Sequence, residues 1–136
     1  MKHPRGEKGQ SLTELALVLP VLLIILAGVL DLGRLYYSYV AVTDAAAEGA
    51  AYAALHPQES RRGEVIRRAQ EASRGLVQVD SGMVEVECPT VASGAPITVT
   101  VRYSFTVATP LINAIVPDGV LELRAVAQEA ILAGEM

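Results

Sequence analysis

The hydrophobic and polar positions of this chain change period along its length, and each change marks a different kind of element. Residues 15–30 hold no charged or polar side chain, with Pro20 and Gly28 inside the run. As a helix that run spans about 24 Å, short of the ~30 Å hydrocarbon core of a bilayer. Counting from Gln10 through Leu32 closes the gap and leaves Glu14 and Asp31 near the two edges. Beyond it Leu32, Leu35, Tyr39, Val42, Ala46, Gly49 and Ala53 recur at alternating spacings of three and four. That spacing is a single seam on one helix face, with Asp44 and Glu48 on the opposite face. The pattern stops at His56-Pro57, because the residue before a proline is pushed out of the helical region. A continuous helix over about residues 11–55, roughly 65 Å long, is predicted.

A second, shorter helix follows at 61–74, with Ser60 placed to cap it and Gly75 to end it. Val65, Ile66, Ala69 and Ala72 form its apolar stripe, and Glu64–Arg68 is an i,i+4 pair on its wet face. Its arginines, Arg61, Arg62, Arg67, Arg68 and Arg74, read as a solvated face rather than a site for anionic partners. From Met83 the period becomes two. Val84 and Val86 alternate with Glu85 and Glu87, and Ile97, Val99, Val101, Tyr103, Phe105 and Val107 alternate with polar residues. A third series starts at Val120, with Leu121, Leu123, Ala125 and Ala127 facing in. Residues 91–96 and Pro117-Asp118-Gly119 punctuate these strands. Three antiparallel strands cannot bury a face alone, so a helix must cover them. Between the second and third strands, Leu111, Ile112, Ile115 and Val116 make one apolar helical turn. Either they plug the end of the sheet or they form a contact patch at the surface.

The apolar run has three readings: a retained membrane span, a cleaved signal peptide, or a buried core helix. A cleaved signal has a shorter apolar region and a small-residue site soon after it. Here Ala27-Gly28 lies too deep in the run, and Ala41 and Ala45 lie too far beyond it, which favours the retained span. Tyr36, Tyr37 and Tyr39 follow it as an interfacial aromatic belt would. Lys2, Arg5 and Lys8 precede it, opposed only by Glu7, so the N-terminus is expected in the cytoplasm and the C-terminal bulk outside. The far half of the seam turns to alanine and glycine, which permits close approach of a neighbouring helix. The same face would serve equally to pack on the chain's own domain.

The 136 residues divide on this reading into a basic leader (1–9), a transmembrane helix (10–35), its extracytoplasmic continuation (36–55) and a small domain (56–136). The fold class is α+β. No catalytic constellation stands out. His3 and His56 are far apart, and neither has metal-ligand spacing with Cys88 or a carboxylate. Glu85 and Glu87 are a weak metal candidate on a wet strand face, and Cys88, the one cysteine, reads as a small buried hydrophobe at a strand end before Pro89. The net charge of −4, with no basic stripe interleaved with aromatics, gives nucleic-acid binding little support. No enzyme activity, cofactor, metal or small-molecule substrate is expected.

What remains conspicuous is Glu14. An ionisable side chain at the mouth of a membrane segment is costly and usually marks function. It stands in the block Gly9-Gln10-Ser11-Leu12-Thr13-Glu14-Leu15-Ala16-Leu17-Val18-Leu19-Pro20. That block, with Gly28, Asp31-Leu32-Gly33-Arg34 and the alanine-rich tract 44–54, closely resembles the start of TadE-like proteins, the pseudopilins or minor pilins of tight-adherence (Flp, type IVc) pilus systems. The strong resemblance covers residues 9–54. It implies membrane insertion, processing by a prepilin peptidase between Gly9 and Gln10, and a part in pilus assembly beside other subunits and the inner-membrane assembly machinery. It also implies that Glu14, the fifth residue of the mature chain, meets a neighbouring subunit's new α-amino group. Gln10 stands where major pilins usually carry an aromatic residue, and the folded domain is large, so a minor, priming or tip role is expected. The competing readings are a membrane-anchored binding domain that is never processed, and a secreted protein with an ordinary signal peptide.

Overall fold

In the computed structural model, which describes residues 7–58, 61–73, 75, 77–110 and 114–132, the apolar run and the seam fold as one helix, α1 (Glu7–Leu55). Its 49 residues extend about 73 Å. It begins at Glu7 rather than near residue 11, so Gly9 and Gln10 are helical. Pro20 lies inside it, as is tolerated where neighbouring groups or local adjustment re-satisfy the freed carbonyl. At its far end the His56 N–H is shared between the carbonyls of Tyr52 (3.1 Å) and Ala53 (3.2 Å) before Pro57 stops the helix.

The second helix, α2 (Arg62–Ala72), is shorter than predicted at both ends. Ser60 and Arg74 lie outside the described residues, and Arg61 at the N-cap makes no side-chain capping bond. Ser73 closes the C-terminus, its hydroxyl donating to the Gln70 carbonyl at 2.7 Å, and Gly75 turns the chain at φ +73°. The predicted Glu64–Arg68 pair is replaced. Glu64 takes Arg67 (Nε to Oε2, 3.2 Å), which also reaches Glu71. Arg68 flanks the buried Val65 and Ala69, so it faces α1, where its guanidinium lies 5.2 Å over the Tyr52 ring and 4.0 Å from Glu48.

Strands β1 (Val84–Glu87), β2 (Pro96–Thr106) and β3 (Val120–Ala130) form one antiparallel sheet in the order β1-β2-β3. Val99 stands between Val86 and Ala127, and Val101 between Val84 and Ala125, so the predicted alternation puts one apolar face inward. Thr100, expected on the wet face, is buried: it is a short side chain on the central strand, flanked on both sides by the neighbouring strand residues Glu85 and Val126. α1 covers the inner face and α2 packs on the flank of α1. At Gly49 the three elements meet. A Cβ there would lie 3.2 Å from Val99 Cγ1, 3.5 Å from Ala69 Cβ and 3.7 Å from Val65 Cγ1. Val77 and Val79, between α2 and β1, and Ile131, just past β3, complete the core without belonging to any predicted stripe.

β2 runs along α1 toward the apolar half of the helix. Its start is tied to the far end of α1 through β3, where the Leu132 N–H donates to the Ala54 carbonyl at 3.0 Å and Ile131 pairs with Ala95 at 2.9 Å. Midway, Val99 lies beside Gly49. Lower down, Phe105 lies under the Arg34 guanidinium at 5.3 Å. The closed end of the β2–β3 hairpin therefore sits where α1 leaves the domain.

Candidate functional site

From Gly9 to Leu26 every position of α1 is exposed, Ala27 and Gly28 are the first to be partly covered, and Asp31 is the first to be buried. The stretch from residue 9 to 30 alone is about 33 Å of helix, long enough to cross the ~30 Å bilayer core. From Leu15 to Leu26 it is apolar all round and not covered by the folded domain. The residues expected at a processing site, Gly9, Gln10 and Glu14, lie at its start. Gly9 is helical with open space where a Cβ would stand, Thr13 Oγ1 donates to its carbonyl at 3.0 Å, and Gln10 Nε2 donates to Glu14 Oε1 at 3.2 Å. Gln10 and Glu14 share a helix face one turn apart, both exposed. Nothing in the fold requires glycine at residue 9 or a carboxylate at residue 14.

The seam divides into two. Val42, Ala46, Gly49 and Ala53 are buried against the chain's own sheet and α2, so this half does not face outward to a neighbour. Its small residues serve the close approach of α1 to β2. Leu35 is half-buried and Tyr39 is 50% exposed, and with Leu32, Tyr36 and Leu123 they line an open apolar depression at the outer end of the span. Of the apolar turn, Leu111 and Ile112 lie outside the described residues. Val116 is half-buried and Ile115 is 79% exposed, so Ile115 does not plug the sheet.

The residue that joins membrane segment to domain is Asp31. Its charge was legible as a boundary marker, but its partners were not. Oδ2 accepts from Thr109 Oγ1 at 2.6 Å, from the Thr109 N–H at 2.7 Å and from the Ala108 N–H at 3.1 Å, and Oδ1 accepts from Arg34 Nη1 at 3.1 Å. Asp31 is only 5% exposed, and Thr109 is buried with it. Charge-assisted bonds of this kind are short and strong, and they fasten the end of β2 to the point where the helix emerges.

Elsewhere the chemistry is sparse. Cys88 is half-buried just after β1, its thiol 3.6 Å from the Thr90 carbonyl, and a cleft of about 130 Å³ separates it from His56, whose ring stacks on Tyr52 at 4.4 Å. Glu85 is 3.3 Å from Arg102 in an exposed ion pair. Among the described residues no group of three or more His, Cys, Asp or Glu is placed to hold a metal ion.

Among the described residues one helix is apolar and of bilayer length, and its continuation as the spine of a small α+β domain fits a single-pass membrane anchor. Residues 9–51 match the family model for TadE-like proteins, which bears out over that stretch the resemblance read from the Gly9–Glu14 block and its apolar run, and which points to a Tad pilus-associated protein. No curated protein and no solved structure matches the chain.

Proposed function

We propose that this chain is a minor pilin or pseudopilin that takes part in assembling or priming a Tad/Flp-type pilus used in adherence. Its role is structural rather than catalytic. α1 anchors it in the cytoplasmic membrane with residues 1–9 inside and the domain outside, and a prepilin peptidase cuts between Gly9 and Gln10. The observation that carries this reading is the pairing of Gly9 and Glu14 on a bare apolar helix inside the family-matched segment. Glycine is a poorer helix former than alanine, by up to ~1 kcal/mol in a helix interior and less in a first turn, and here no close contact repays it. A peptidase must unwind the helix to reach the Gly9–Gln10 bond, and a glycine on the acyl side lowers that cost while leaving room in the enzyme. Glu14 follows the same logic. A carboxylate on a lipid-facing helix is expensive when unpaired and strongly attracted to an ammonium in low dielectric, so it calls for a partner from outside the chain. A neighbouring subunit's freshly exposed α-amino group supplies one.

The test is the mature N-terminus, measured by mass spectrometry in cells that carry the cognate peptidase. It should be Gln10, and Gly9→Leu should leave the full-length precursor. Glu14→Ala should insert and be processed yet fail to support pili. A chain that retains Met1 in those cells would leave only an unprocessed membrane-anchored binding domain. Normal piliation with Glu14→Ala would remove the carboxylate from assembly.

A further inference from the structure

We propose that Ile115, on the strand β3 side of the β2–β3 connection, is a second membrane contact, inserted into the bilayer surface beside α1. The inference rests on the single-pass reading of α1 and adds a lipid-facing element from the folded domain. Three observations on different elements converge on it.

The first is position. Thr109 and Ala108 are fastened to Asp31, where the helix leaves the domain. The turn that follows returns through Val116, whose carbonyl accepts from the Gly119 N–H at 3.0 Å, and Gly119 in turn accepts from Val107 at 2.9 Å. Ile115 therefore belongs to the membrane-facing end of the hairpin. The second is chemistry. Ile115 is 79% exposed, and residues 103–117 carry no charge. Leu30 and Leu32 of α1, on either side of Asp31 in the chain, are likewise exposed and apolar, so the hairpin end and the helix present the same kind of surface at this level.

The third is what Asp31 does not need. A carboxylate has about four lone-pair sites, and those of Asp31 are taken up by Thr109, Ala108 and Arg34. It makes no demand for bulk water, so the membrane surface is not forced to lie below it. The exposed Tyr36, Tyr37 and Tyr39 lie one to two turns further out, about 8–12 Å along the helix. Tyr side chains favour the headgroup level. A bilayer bounded by Glu14 and Tyr36 spans about 33 Å of helix, again the thickness of the core. That placement puts the hairpin end, at the level of Asp31, on the lipid side of the tyrosines. The half-exposed Arg34 guanidinium then reaches headgroup phosphates.

The experiment uses the full chain in a Cys88→Ser background, with Ile115→Cys, Ile24→Cys or Val91→Cys labelled by an environment-sensitive fluorophore. Each is placed at low density in phosphatidylethanolamine/phosphatidylglycerol vesicles, with and without acyl-chain nitroxide lipid. Position 115 should show the blue-shifted emission and strong nitroxide quenching of position 24, several-fold above position 91. A lipid-quenched position 24 with a water-exposed position 115 would overturn this inference alone. Emission at 115 that is blue-shifted but unquenched, and that varies with protein density, would assign the patch to another protein and also overturn it. A water-exposed position 24 would remove the membrane span itself and this contact with it.

Discussion

Replacing Asp31 by alanine tests whether one carboxylate holds the domain to the membrane helix. The substitution removes the acceptor for a guanidinium, a hydroxyl and two backbone N–H groups at once, but these losses are unequal. Arg34 has a half-exposed side chain and returns to water at little cost. Ala108 is exposed on the chain, so its amide is left open to the detergent–water interface rather than stranded inside the domain. Thr109 is buried, and its N–H and hydroxyl are left without the partner 2.7 and 2.6 Å away. A buried donor stranded in this way costs ~1–3 kcal/mol, and loss of a charge-assisted bond falls in a similar range, so about 2–4 kcal/mol is expected in total. For a domain of this size that lowers Tm by about 10 °C or more. Asp31→Asn keeps one acceptor oxygen and should lose about half as much. Urea and thermal unfolding of the full chain in detergent, followed by tyrosine fluorescence, give the stability. Hydrogen exchange of the peptide containing Ala108 and Thr109 gives the local effect. An Asp31→Ala protein with a wild-type urea midpoint and unchanged exchange at those two amides would refute the reasoning.

Two further expectations follow from the packing and the surface charges. Gly49→Leu should destabilise the domain by about 1–3 kcal/mol or more, because any Cβ already stands 3.2 Å from the fully buried Val99; Gly49→Ala should cost far less, since helix propensity returns up to ~1 kcal/mol. Equal urea midpoints for Gly49→Leu and wild type would show that α1 and β2 are not in contact. On α2, the hydrogen bond from Arg67 holds the Glu64 carboxyl below the usual carboxylate range, aided by the charges of Arg67, Arg68 and Arg61. A lowered folded-state pKa gives stability that is present above the unfolded value and is lost as pH falls through the folded one. The difference between wild type and Arg67→Ala should therefore be small, flat between about pH 5 and 8, and should close only below about pH 4, as read from urea midpoints across pH. A difference that grows on acidification would contradict the pairing.

The long helix, the alternating strands and the one-sided sheet were all legible along the chain, because they are local periodicities. Val99, Val101 and Phe105 could be assigned to the inner face from spacing alone, and so could Val65 and Ala69 on α2. The Gly9–Glu14 block was legible for a different reason: a charge and a glycine in an apolar helix contradict local propensity, and the contradiction is visible without a structure. Periodicity, however, reports which side chains leave water and not what replaces it. The seam on α1 was one stripe in sequence, yet the domain covers it from Val42 outward and leaves Tyr39 bare, because nearer the membrane the face of α1 turned to the domain is the one that carries Asp31, Ser38 and Ala41. Arg68 shares the spacing of an intrahelical pair with Glu64, and only the position of α1 turns it toward Tyr52. Val77, Val79 and Ile131 sit in segments too short to show a period, so their burial depended on what folded over them. Asp31 marks the boundary most sharply. Its charge at the edge of the span was plain, but its ligands lie 77 and 78 residues away, and a bond of that separation exists only once the hairpin has been laid along the helix.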